Sequence, residues 1–114
     1  MTRPLVKHGK AWRYVAASGG IVNTTAVTLK AAVAAKAHHL TEIEIINANA
    51  TGTEVAIRDG AGGTVLWRGY AIQALGPIVV KFHEPIIGSV NTLLEVVCLT
   101  NASQTYVNAR GVTI

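Results

Sequence analysis

Glu42 and Glu44 are the residues of this chain that most suggest chemistry. In Thr41-Glu42-Ile43-Glu44-Ile45 the acids alternate with other side chains, so a strand sets both on one face, about 7 Å apart. Two carboxyl groups at that spacing can flank a glycosidic bond. A half-solvated strand shows the same alternation, and that plainer reading is preferred. His38 and His39 are adjacent, so a strand turns them to opposite faces and they cannot chelate one ion together. His83-Glu84 lies far off in sequence, and a zinc site needs three or four convergent ligands. A metal held across a subunit axis by His38 or His39 is the one arrangement left open. Cys98 is the only cysteine, which rules out an internal disulfide. It sits in Leu93-Leu94-Glu95-Val96-Val97-Cys98-Leu99, a buried-strand pattern, and reads as a small core residue rather than a nucleophile. Gly60-Ala61-Gly62-Gly63 has no lysine–serine pair and no helix after it, so it is not a phosphate loop. Ser18, Ser89 and Ser103 lie in turn-like sequence without a nucleophile elbow. Asn23, Asn49 and Asn101 each open a sequon, yet Asn and Thr gather in turns for their own reasons. The expectation is a protein that is not an enzyme, with no catalytic residue, no cofactor and no resident metal.

The elements that carry these side chains are strands. Thr53 to Tyr70, TEVAIRDGAGGTVLWRGY, is the clearest stretch. Val55 and Ile57 point one way and Glu54, Ala56 and Arg58 the other. Val65, Trp67 and Gly69 then alternate with Leu66, Arg68 and Tyr70. Period-two alternation of β-branched and aromatic residues marks strands. Asp59-Gly60-Ala61-Gly62-Gly63 between them makes a hairpin connection, because glycine takes positive φ without a Cβ clash. The hairpin carries Trp67 toward the core.

The rest of the chain follows the same pattern. Ala11 to Ala17 reads as a first strand with Trp12, Tyr14 and Ala16 on one side, and Ile21 to Lys30 as a second. Ala31 to Lys36 is helix-prone but too short for a stable helix, so it is a turn or a single helical turn. Ala37 to Asn47 is a long strand with Thr41, Ile43 and Ile45 on one face and Glu42, Glu44 and Ile46 on the other. Ile78 to Phe82 is a short strand, and Pro85 and Gly88 make His83 to Val90 a loop. Asn91 to Leu99 and Thr105 to Ile114 are the last strands, joined by a turn over Thr100 to Gln104. About eight short strands and no real helix predict an all-β, antiparallel β-sandwich of jelly-roll type, with an immunoglobulin-like sandwich as the alternative.

Bulk composition narrows the partners. At 114 residues the chain is one domain. Only 14% of residues are charged and 50% are hydrophobic. Charge this sparse is well below the usual quarter and predicts surface covered by other subunits. Net charge is +4, with Arg3, Lys7, Lys10 and Arg13 in the first thirteen residues and no acid among them. Residues 1–10 read as an extended arm ahead of a domain over 11–114, its charges either those of a solvated tail, the preferred reading, or a contact for nucleic acid or an acidic protein surface. Leu5 and Val6 within the arm are costly to leave wet, so it docks on a neighbour or on its own domain. No aromatic-interleaved basic patch follows, which argues against a specific nucleic-acid reader. No apolar run approaches the ~20 residues of a membrane helix. The N-terminus has charges but no apolar stretch of the secretory kind, so synthesis in a cytoplasm is expected.

Several pieces in fixed order carry a resemblance. They are Trp12-Arg13-Tyr14 followed by Ser18-Gly19-Gly20-Ile21-Val22-Asn23-Thr24-Thr25; Thr41-Glu42-Ile43-Glu44-Ile45-Ile46-Asn47; Val55-Ala56-Ile57-Arg58-Asp59-Gly60; Val65-Leu66-Trp67-Arg68-Gly69-Tyr70; and Tyr106-Val107-Asn108-Ala109-Arg110-Gly111. Over residues 11–114 the chain resembles the small β-sandwich structural proteins of tailed-bacteriophage virions. The resemblance implies a virion component, foremost a head decoration (cement) protein. Such a protein binds the major capsid protein and its own copies, often as a homotrimer, and brings no catalytic residues. The expected contact residues are Arg3, Leu5, Val6, Lys7 and Trp12. The alternative is a carbohydrate- or receptor-binding sandwich of a tail or fibre, which needs exposed coplanar aromatics.

Overall fold

The computed structural model describes residues 9–100 and 104–114. Eight strands run in order: β1 (Lys10–Tyr14), β2 (Val27–Lys30), β3 (His38–Asn47), β4 (Thr53–Asp59), β5 (Thr64–Ala71), β6 (Ile78–Ile87), β7 (Leu94–Cys98) and β8 (Thr105–Thr113). A single 3₁₀ turn, Gln73–Leu75, precedes β6. The strands form two four-stranded sheets, ordered β1-β8-β3-β6 and β2-β7-β4-β5. Every pairing is antiparallel. The chain crosses from one sheet to the other at every step except the β4–β5 hairpin, which is the jelly-roll order, so the expected β-sandwich is present and the immunoglobulin alternative is not.

Alternation explains what each sheet buries. Along β8, Thr105, Val107, Ala109, Gly111 and Thr113 are buried while the residues between them are not. Leu40, Ile43 and Ile45 from β3 meet Val55 and Ile57 from β4 and Leu94, Val96 and Cys98 from β7. All eight are fully buried, and each large aliphatic among them contributes about 2 kcal/mol through the apolar surface it removes from water. Trp67 and Phe82 meet edge to face across the gap between β5 and β6, with ring centroids 6.1 Å apart.

The strands depart from simple alternation at three places. In β3 the register slips between Leu40 and Glu42, so Thr41 is an extra residue. Leu40 and Ile43 are both buried although three apart, and Thr41 does not share the Ile43 face as alternation predicts. In β5 the register slips between Val65 and Trp67, so Leu66 packs toward the core beside Trp67 instead of facing out with Arg68. The third departure is β6, which continues to Ile87 where proline predicted a loop after Phe82. Leu40 pairs with Ile86 and Glu42 with Lys81, so Phe82 to Pro85 bulge away from β3. β6 is also an edge strand, and a bulge on an edge asks no ladder hydrogen bond of Pro85.

Other boundaries are simpler. β1 begins at Lys10 and ends at Tyr14, one residue before and three residues short of the expected strand from Ala11 to Ala17. The expected strand from Ile21 is reduced to Val27–Lys30, and Ile21 alone bridges to Thr105. The 31–36 segment is a turn, closed by the Lys36 amide on the Val33 carbonyl at 3.1 Å. The Thr100–Gln104 turn falls partly outside the described residues, as does the Asn101 sequon. Asn23 and Asn49 each accept a backbone N–H two residues on, at 2.9 and 2.8 Å, which is turn chemistry.

Candidate functional site

The outer face of the β1-β8-β3-β6 sheet gathers most of the residues that drew attention. Register places Arg13, Arg110, Glu42 and Lys81 side by side across the four strands. The neighbouring row carries Asn108, Glu44 and Val79, and beyond it Tyr106 lies opposite Ile46. Glu42 and Glu44 therefore share a face, as alternation predicts. They border a shallow 220 Å³ depression with Arg13, Val15 and Arg110. Glu44 accepts a hydrogen bond from the Asn108 amide at 3.0 Å. The two acids lie on an open sheet surface among basic residues and have no substrate cleft between them. Among the described residues no ion pair within 4 Å joins Arg13, Arg110 or Lys81 to an acid.

The histidines divide as expected, one inward and one half-buried. His38 is fully buried. Its Nε2–H donates to the Ala31 carbonyl at 2.7 Å, and its Nδ1 is 2.7 Å from the Thr113 hydroxyl. Ala31 can only accept, which places the proton on Nε2 in the neutral ring. With both nitrogens engaged, His38 has no lone pair to offer a metal across a subunit axis. Among the described residues no group of three or more His, Cys, Asp or Glu side chains converges on a common point.

Trp12, expected at a contact surface, packs into its own core at 8% exposure. It lies edge-on to His38, with ring centroids 6.2 Å apart, and opposite Gly111, whose missing side chain leaves room for the indole. Ala11 and Arg13 carry the exposed side of that strand instead. Arg3, Leu5, Val6 and Lys7, the other expected contact residues, lie outside the described residues. Among the aromatic side chains, only Tyr70 is more than half exposed. A sugar platform of coplanar rings is therefore not assembled among the described residues.

Cys98 is fully buried on β7, as its surroundings predict. Burial pushes its thiol above the ordinary value of 9.0, and the Thr105 and Thr53 hydroxyls beside it pull it partway back. A raised native pKa means that the folded protein keeps a proton the unfolded chain has released. The contribution to stability is complete below pH 9.0 and declines as pH rises from there toward the native value. Denaturant melts at pH 7.5 and 10 should show a loss that Cys98→Val abolishes. A loss of the same size in the variant would assign it to other groups.

Both edges of the β1-β8-β3-β6 sheet are guarded. β6 carries Lys81 and Pro85, and β1 carries Lys10 and Arg13. Charges and proline on edge strands discourage indiscriminate strand addition. Strand order and pairing together define the class as a jelly-roll β-sandwich. No protein-family model, no curated protein and no solved structure matches the chain.

Proposed function

We propose that this chain is a structural protein of a tailed-phage virion, a decoration protein that seats on the major capsid protein and on its own copies as a homotrimer. The observation that carries the reading is the pairing of sparse charge with exposed apolar surface. Among the described residues ten large apolar side chains stand exposed, Val15, Ile46 and Val79 among them. Val79 and Ile46 lie diagonally across the β3–β6 pair, with Tyr106 on the other flank of Ile46. A lone copy leaves this group wet, and a neighbouring subunit removes it from water. The guarded edges fit a protein that meets its neighbours through faces, since open edges polymerise indiscriminately. The choice of the major capsid protein as partner rests on the sequence resemblance of residues 11–114 to small virion sandwiches.

Sedimentation and capsid co-pelleting test the reading. The full chain should sediment as a trimer and pellet with capsids. Removing residues 1–8, which stops short of the β1 strand, should leave a folded trimer whose capsid affinity falls by about tenfold or more, as expected for losing buried apolar contacts and basic charges together. Equal pelleting by full-length and shortened chains would remove the arm from the contact. A monomer indifferent to capsids would end the proposal.

A further inference from the structure

We propose that the corner where β1 and β2 meet is a binding cleft for a small, multiply charged anion of the phosphate class. A cavity of 520 Å³ opens there, within the range of small-molecule sites. Lys10 from the start of β1, Lys30 from the end of β2 and Lys36 from the β2–β3 turn all border it, and no Asp or Glu does. Among the described residues none of the three has an ion-pair partner. Ile114 also lines the cleft, and one main-chain carboxylate there would still leave two of the three ammonium charges unanswered. Clustered cations with no acid among them raise one another's free energy, and an anion relieves that. Lysine supplies compact point charges of the kind that hold phosphate, and three of them on one opening suit an anion that carries several negative charges.

The cleft is built before any ligand arrives. His38, buried beneath it, ties the Thr113 hydroxyl of its floor to the Ala31 carbonyl that follows Lys30, both at 2.7 Å. Ala37 and Ile114 exchange two backbone hydrogen bonds at 3.0 Å, and the Lys36 carbonyl accepts the Asn91 amide at 2.8 Å. Ala35 turns the chain at φ 63°, a left-handed conformation rarely adopted by alanine. These ties fix the backbone that carries Lys30 and Lys36 around one opening, which lowers the ordering cost of binding.

Isothermal titration at constant ionic strength tests the proposal, with tripolyphosphate, sulfate and a hexaglutamate peptide as probes. Tripolyphosphate should bind saturably at one per chain and at least about tenfold tighter than sulfate. The Lys30→Gln/Lys36→Gln double variant should lose about tenfold or more of that affinity. An Arg13→Gln/Arg110→Gln control removes equal charge from the sheet face and should change it less than about threefold. Lys36→Gln alone, on an exposed turn, gives the same reading if the double variant folds poorly. No saturable binding, or equal losses in cleft and control variants, would overturn the proposal. Tighter binding of hexaglutamate than of tripolyphosphate would overturn the assignment to phosphate chemistry. None of these outcomes depends on capsid attachment.

Discussion

Gly111→Val should leave the protein unable to hold its native sheet at 37 °C, and Gly111→Ala should cost about 3 kcal/mol or more. Gly111 lies on the inward face of β8, paired with Trp12 on one side and Leu40 on the other. A Cβ built there would sit 2.0 Å from the His39 carbonyl oxygen and 2.5 Å from the Trp12 indole. The first of these is main chain in the adjacent strand and cannot swing aside. The second is a large ring held edge-on by His38. Relief requires β3 and β8 to part, although these two strands share nine register pairs. Total stabilities of single domains are about 5–15 kcal/mol, so the valine variant spends much of what there is. Gly19→Ala is the matched control. Gly19 has φ 86° but no atom within 4 Å of a built Cβ, so only the backbone term of about 1 kcal/mol applies. Urea melts of the three variants check the order. A Gly111→Ala protein as stable as Gly19→Ala would mean that the β1-β8-β3 packing is looser than described.

Glu95→Ala should be the next most damaging substitution, at about 2–3 kcal/mol. The Glu95 side chain is 6% exposed, and one of its oxygens receives both Arg58 Nε and Nη2 at 2.6 Å. The same oxygen accepts the Gly62 amide at 3.0 Å, which ties the β4–β5 turn to β7. Truncation leaves a guanidinium and an amide without their acceptor. Arg58 is 23% exposed, so water recovers part of its solvation and the cost stays at the lower end for a buried pair. Arg58→Met/Glu95→Leu should regain more than half of the loss, because no polar group is then stranded. The Arg68–Glu54 pair is the contrast. Its side chains are 55% and 37% exposed, and Arg68→Ala should change the unfolding free energy by less than about 0.5 kcal/mol, an effect that added salt abolishes. Equal costs for the two pairs would contradict the burial difference on which this ranking rests.

Much of the fold was legible because side-chain alternation is local. The β4–β5 hairpin could be read from Thr53 to Tyr70 alone, since period-two patterning and a glycine-rich turn need no partner to be recognised. The burial of Cys98 followed from its apolar neighbours in the same way. Less of the surface was legible. Trp12 looked like a contact residue, and nothing within β1 announces that Gly111, a hundred residues on, makes room for it. The acid pair drew attention by spacing, but its setting among Arg13, Arg110 and Lys81 depends on four strands being in register.

Alternating apolar and polar side chains, punctuated by glycine and proline, determined that this chain forms short strands with one wet and one dry face, because each residue's face depends only on its immediate neighbours. Tertiary structure alone decided where alternation fails. It set the extra residues at Thr41 and Leu66 and carried β6 through Pro85 along a free edge. It also brought Arg58 to Glu95, and Lys10, Lys30 and Lys36 to one corner. Those choices arise when strands distant in sequence settle into a common register, and the packing of both sheets at once selects that register.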